Sequence, residues 1–322
     1  MSSINSNSSA DIALQTLRAV ASDLTETQRK VSTGFRVERA SDDAAYWSIA
    51  TTMRSDNEAL SAVSDALGLG AAMVDTAYAG MSQAIDVMSE IKARFVAATE
   101  NGVDKAKVND ELSQLKNQLR AIAVSASFSG QNWLYINSTA DNVDRSIAAG
   151  IARDTSGAVS VQTMTYDLNS DWDTPDVSFL IDDESGDSGI ITNSAFADRL
   201  GTASDWVLFN GARHQSHREM ELSEDTTNDE IQEMLVVTEA MVSKMTEVAS
   251  RLGSLSSRIG IQERFIGDLR DSLSSGIGQL VDADMEEESS KLAAKQTQRK
   301  LAIQSLSIAN SAPGNLLNLF SA

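Results

Sequence analysis

Residues 53–95 read MRSDNEALSAVSDALGLGAAMVDTAYAGMSQAIDVMSEIKARF. Met53, Leu60, Leu67, Val74, Met81, Met88 and Phe95 recur at every seventh position, with Val63, Ala77, Ala84 and Ile91 offset by three. That spacing keeps one apolar seam on a helix as it winds against a partner, so the stretch predicts a long packed helix. A second array near the other end keeps the same period in Met245, Leu252, Ile259, Ile266, Leu273 and Leu280, with Leu235, Val242, Ala249 and Ile277 at the offset positions. At about 1.5 Å per residue, an array of roughly 45 residues spans roughly 65 Å, more than twice the length of a small domain. An antiparallel return between the two arrays buries each seam against the other.

Working outward, Leu14, Leu17, Ala21, Leu24 and Val31 give a first helix over residues 11–31, with Gln28 interrupting the seam and Gly34 ending it. Ser41, Asp42 and Asp43 supply the cap and first-turn acids of the long helix that follows, which closes near Asn101 and Gly102. Leu112, Leu115, Leu119 and Ile122 mark a shorter helix. From Trp133 to Arg218 the helical period is lost; residues 158–168, 177–181 and 206–209 read as short strands. A last helix over residues 284–309 carries Leu292, Leu301, Ile303, Leu306 and Ile308, and Pro313 with Gly314 is expected to stop it ahead of Leu316 and Leu317.

The expected fold is therefore mainly α: a long antiparallel heptad-patterned bundle formed by both chain ends, with a small β-rich or α+β insert. Three parts follow: terminal helices (1–42 with 282–322), the long bundle (43–130 with 228–281) and an acidic insert (131–227). Gly253, Gly260 and Gly267 lie seven apart, which predicts close approach to another helix. Gly68 and Gly70 sit mid-helix, not between a strand and a helix, and read as packing positions rather than a phosphate loop.

Composition removes whole classes of function. The net charge is −20, and phosphate binding needs clustered Lys and Arg, so nucleic acid is not expected as a partner. Residues 131–230 hold 5 Arg, no Lys and 19 acids, so −14 of that charge lies in the middle third. There is no cysteine, hence no disulfide, thiolate metal site or Cys nucleophile. His214 and His217 are the only histidines and lack a well-placed third ligand. No Ser, His and Asp set has an orienting context, so neither an enzyme nor a cofactor is expected. Residues 1–10 lack the pattern of a cleaved secretory signal, no run is long enough to insert in a membrane, and by themselves these read as cytosolic.

The terminal helices over residues 11–31 and 284–309 are each marginal alone. Two outcomes fit their apolar stripes: pairing within one closed monomer, or docking onto identical copies to make a filament.

Residues 29–50, RKVSTGFRVERASDDAAYWSIA, resemble the N-terminal signature of bacterial flagellins through Ser32, Thr33, Gly34, Arg36, the ASDDAA of residues 40–45, Ile49 and Ala50. Residues 277–320, IGQLVDADMEEESSKLAAKQTQRKLAIQSLSIANSAPGNLLNLF, resemble the C-terminal signature through Asp282, Ala283, Asp284, Met285, Glu287, Glu288, Ala309, Asn310, Leu316, Leu317 and Leu319. The pattern is similar to flagellins of soil and plant-associated alphaproteobacteria. The resemblance implies a structural protein of the flagellar filament, a self-assembling homopolymer that transmits motor torque, shared in some filaments with sister flagellins. It implies terminal helices that form the inner core through Leu14, Leu17, Leu24, Val31, Leu292, Leu301, Ile303, Leu306, Ile308, Leu316 and Leu317. It also implies unfolded passage through the type III export apparatus with an export chaperone, assembly at the distal tip beneath a filament cap, junction proteins at the hook, and an extracellular location. That last implication reverses the cytosolic reading.

Departures from the family pattern fall where immune receptors read flagellins. Phe35 and Glu38 differ from the commonest form, Tyr46 and Trp47 replace a small Gly, and Glu90 in MSEIKARFVAA (88–98) stands where a basic residue is usual. Weak signalling through an animal Toll-like receptor and a plant receptor kinase is expected. Two other readings are the hook–filament junction protein, with similar ends, and a signalling coiled coil, which would need a tight central turn and a membrane span or adaptor tip.

Overall fold

The computed structural model describes residues 7–136, 144–154, 156–168, 177–182, 188–210 and 217–320, the last nine as backbone alone. Among these described residues six helices dominate in chain order: α1 (Ser8–Thr33), α2 (Ala44–Ala98), α3 (Lys105–Ser125), α4 (Ala195–Leu200), α5 (Asn228–Val281) and α6 (Met285–Phe320). Local chemistry sets their ends. Asn7 caps α1 by accepting from the Ala10 N–H at 3.1 Å, and Gly34 closes it at φ 74°, a left-handed turn that only glycine adopts without strain. Asp43 accepts from the N–H groups of Ala45 and Tyr46, and Asp104 from that of Lys107. Thr227 and Glu230 make a reciprocal capping box on α5, each side chain accepting the other's backbone N–H.

The chain forms two compact units: residues 1–58 with 269–322, and residues 59–268. In the second unit, α2 and α5 run antiparallel. Lys92 pairs with Glu239, Ser256 donates to Asp75 at 2.8 Å, and Gly253 faces Tyr78, so numbers fall along one helix as they rise along the other. Leu60, Leu67, Val74, Met81, Met88, Phe95, Met245, Leu252, Ile259 and Ile266 are all buried in this seam.

The partner stripe on α5 differs by one residue from the expected set. Met234, Met241, Val248 and Leu255 are buried, whereas Leu235, Val242 and Ala249 are half-buried. A helix of 3.6 residues per turn drifts about 20° per heptad against a strict repeat, and the broader stripe at 245, 248, 252 and 255 follows that drift. Nor does the glycine stripe bring a helix close along its length. A Cβ at Gly253 would meet Tyr78 at 3.7 Å, but Gly260 and Gly267 face open space.

The insert is built from eight short strands in four two-stranded pieces among the described residues. These strands are β1 (Ser127–Phe128), β2 (Gln131–Asn132), β3 (Tyr135–Ile136), β4 (Arg145–Arg153), β5 (Val159–Tyr166), β6 (Ile181–Asp182), β7 (Asp205–Val207) and β8 (His217–Glu219). β1–β2 and β4–β5 are antiparallel, while β3–β6 and β7–β8 are parallel. Sequence reading anticipates β5 but misses β4, whose small Ala and Gly residues carry little strand signal.

Two helical glycines let this insert approach α2. A Cβ at Gly80 would lie 2.8 Å from both Ala126 Cβ and Leu134 Cδ1, and one at Gly70 would collide with Ile147 of β4. Trp206 donates from Nε1 to Glu233 of α5 at 2.8 Å, and buried Lys116 of α3 pairs with Glu219 and the Met220 carbonyl. Burial raises the Tyr166 phenol to about 12, and its ring stacks on Trp133 at 5.3 Å.

Pro313 does not stop the last helix. Backbone helix continues from Met285 to Phe320, because proline removes one donor and leaves a single carbonyl to satisfy rather than ending the helical path outright.

Candidate assembly surface

The first unit places the two terminal helices side by side. α1 and α6 run antiparallel: Asn7 Nδ2 donates to the Ala309 carbonyl at 2.8 Å, Lys295 Nζ meets Asp23 Oδ2 at 2.6 Å, and Ala283 N–H donates to the Gly34 carbonyl at 2.8 Å. Leu24 and Thr27 are buried along α1, with Leu14, Leu17 and Val31 half-buried on the same side. Thr27, whose hydroxyl donates to its own Asp23 carbonyl, takes the seam position, while Gln28 points to solvent. On α6 the facing residues are Glu288, Leu292, Ala302, Leu306 and Ala309.

This pairing leaves much apolar surface unused. Leu301, Ile303 and Ile308 on α6 are 59%, 49% and 71% exposed, and Ile12 on α1 is 65% exposed. The expected interface residues thus separate into two groups. Leu14, Leu17, Leu24, Val31, Leu292 and Leu306 turn toward the paired helix, and Leu301, Ile303 and Ile308 turn away. The side chains of Leu316 and Leu317 lie outside the described residues. Leu301 and Ile308 share one flank of α6 and Ile303 lies on the other; full burial of such a side chain is worth about 1.5–3 kcal/mol, so this exposed surface is a sizeable unused attraction.

Where α1 ends, the chain is bolted to the end of α5. The N–H groups of Arg36 and Val37 both donate to the Val281 carbonyl, at 2.7 and 3.2 Å, and Arg36 Nη2 donates to the Leu280 carbonyl at 3.0 Å. Val37, Ala50 and Val281 form a small core roofed by Phe35, Trp47, Ile277 and Leu280. Arg29 reaches across to Glu38 and, through two nitrogens, to Asp42 at 3.0 and 3.2 Å. That guanidinium holds the Asp42 carboxyl below its ordinary range, and backbone N–H groups of Arg39 and Glu38 add to the effect. Sequence reading does not find this clamp; Asp42 reads as a cap residue until the turn brings Arg29 beside it.

Positions that depart from the family pattern fall into different settings. Trp47 packs in the small core, Glu38 is paired with Arg29, Phe35 lies under Arg54 at 5.4 Å, and Tyr46 is 43% exposed with Arg36 5.8 Å above its ring. Glu90 is exposed on α2 of the second unit. Met53 and Leu273, at the ends of the heptad arrays, are half-buried in the first unit, where the Met53 Cε lies 2.9 Å from a Cβ built at Gly276. Among the described residues no helix is long and apolar enough to cross a membrane.

Comparison with known proteins agrees with this geometry. Residues 4–139 match the bacterial flagellin N-terminal helical region, and residues 235–320 match the bacterial flagellin C-terminal helical region. The chain is 49% identical to Flagellin C of Rhizobium meliloti (strain 1021), with 99% of each chain covered. It is 42% identical to Flagellin A of the same strain, over 99% of this chain and 100% of the relative. It is 36% identical to a flagellin of Brucella melitensis biotype 1, again over 99% of each. Two matched helical regions from opposite ends of the chain, paired in one unit, together with relatives that align over its full length, make this chain a member of the bacterial flagellin family.

Proposed function

We propose that this chain is a structural subunit of the bacterial flagellar filament, an extracellular homopolymer that carries torque for swimming. The observation that carries the reading is the exposed apolar surface of α6, Leu301 with Ile308 on one flank and Ile303 on the other, together with Ile12 of α1, which the two terminal helices do not cover for each other. Neighbouring copies cover it in the filament, where α1 and α6 supply the inner-core contacts and the acidic insert over residues 131–227 supplies the outer surface. Subunits reach the growing tip through the flagellar export apparatus, delivered by an export chaperone and placed under the filament cap.

Growth from purified protein on short filament seeds tests the assignment. Deleting residues 303–322 leaves the second unit folded and abolishes growth, while replacing residues 140–220 by a short linker spares it. A truncated protein that still lengthens seeds normally would remove α6 from the interface. Growth that stops after one ring would point to a junction protein instead.

A further inference from the structure

The turn between α2 and α3 carries a second, chemical property. Asn-Gly occurs twice in the chain, at 101–102 and 210–211. At the first, both residues are exposed, and Gly102 sits at φ 92° with open space around its Cα. The turn is held by Glu100 N–H to the Ala97 carbonyl and Val103 N–H to the Glu100 carbonyl; among the described residues neither the Gly102 N–H nor the Asn101 side chain has a hydrogen-bond partner. At the second, the Asn210 amide nitrogen is engaged, donating to the His217 carbonyl at 3.0 Å.

We propose that Asn101 is a self-modification site, converting to aspartate and isoaspartate in the folded protein. The Gly102 nitrogen, on losing its proton, attacks the Asn101 side-chain carbonyl carbon. A new C–N bond closes a five-membered succinimide, the Cγ–Nδ2 bond breaks, and ammonia leaves with the proton. Water then adds to either imide carbonyl and cleaves one C–N bond, giving aspartate or, by the other route, isoaspartate. The net exchange is one amide and one water for one carboxylic acid and one ammonia, with no oxidant or reductant.

Two features of the fold favour the attack. Glycine has no side chain to hinder its nitrogen and reaches φ values closed to other residues. Among the described residues no hydrogen bond to the Gly102 N–H or the Asn101 side chain must break first. The product adds one negative charge to a turn already carrying Glu100 and Asp104. Lys105 ties that turn to the Thr226 carbonyl at 2.5 Å, beside the exposed acids Glu224 and Asp225. The isoaspartate form also lengthens the main chain between α2 and α3 by one methylene.

The test is a time course on purified full-length protein held at neutral and mildly alkaline pH, read by peptide mapping and by enzymatic labelling of isoaspartate. The expected result is loss of the amide at residue 101, with a matching shift to a more acidic isoelectric form that is faster at higher pH. Residue 210 should lag at least several-fold behind, and Asn101→Gln, which would have to close a larger ring, should abolish the shift. Retention of the amide at residue 101 after residue 210 has reacted would overturn the proposal. Equal rates at the two sites would overturn the claim that the open turn sets the reactivity.

Discussion

The side-chain amide of Asn7 donates to the carbonyl of Ala309, and Ala309 is the residue whose helical acceptor loses its partner to Pro313. In α6 the N–H four residues on would bond that oxygen, but proline has none. Asn7 supplies the missing donor from 302 positions away while its oxygen caps α1. One side chain therefore starts one terminal helix and repairs the other.

This predicts a coupling that a double-mutant cycle can measure. Asn7→Ala should cost about 1 kcal/mol as a lost cap, and it leaves the Ala309 carbonyl unpaired as well. Amide exchange over residues 310–320 should accelerate in Asn7→Ala. With Pro313→Ala, which restores an in-helix donor, the same Asn7→Ala change should have a smaller effect there. Equal acceleration in both backgrounds would mean that Asn7 acts only as a cap for α1.

Acid should loosen the junction where α1 meets the end of α5. Asp42 is held below its ordinary range by Arg29, so its contribution is complete above the unfolded carboxylate value of about 3.9 and is lost as pH falls through its lower folded value. Amide protection at Glu38 and Arg39, whose N–H groups Asp42 accepts, should drop on acidification before the long helices melt. Asp42→Asn should show the weaker protection already at pH 7 and a flatter pH profile. The measurement is hydrogen exchange read at those two amides across the pH range.

Most of this architecture is legible in the sequence because heptads are a strong, long signal. Met81 and Ile259 are buried at seam positions that the seven-residue period alone indicates. The choice between Val242 and Met241 is not legible, since the second stripe depends on how far the helix drifts from an ideal repeat. Pro313 misleads because the residue that satisfies Ala309 lies at the opposite end of the chain, where no local rule looks. Within the assembly surface, composition marks Leu301 and Leu306 alike as apolar; only the pairing of α1 with α6 turns Leu306 inward and leaves Leu301 in solvent. The Arg29–Asp42 clamp is hidden for a similar reason, being made by the turn after Gly34.

Immune recognition should be weak and locally restorable. Glu90 is exposed on α2, and it is followed by Lys92 and Arg94, which are already paired with Glu239 and Glu111. Glu90→Arg should raise signalling by purified monomer in cells bearing the animal Toll-like receptor that reads flagellins, relative to the unmodified protein. In the N-terminal segment, Trp47 belongs to the core with Val37, Ala50 and Val281. Strong signalling by unmodified protein in either receptor-expressing cells or leaves would contradict the expectation.

The exposed apolar residues of α6 make the sharpest mechanical prediction, because under the proposed function they meet neighbouring copies, while in the isolated subunit they are exposed and contribute little. Leu301→Gln, Ile303→Thr and Ile308→Gln together replace side chains that are 59%, 49% and 71% exposed, so the subunit's own unfolding should move little, as exposed substitutions generally do. Assembly should suffer much more. If each side chain is about half covered again by a neighbouring copy, each loses on the order of 1 kcal/mol of burial, and the three together raise the critical concentration for seeded growth by roughly 100-fold. Leu306→Gln should behave in the opposite sense, destabilising the α1–α6 pair within one subunit, since Leu306 faces α1. Critical concentration and monomer unfolding measured on the same preparations separate the two effects. A triple variant that polymerises at the unmodified concentration would show that copies meet through another face.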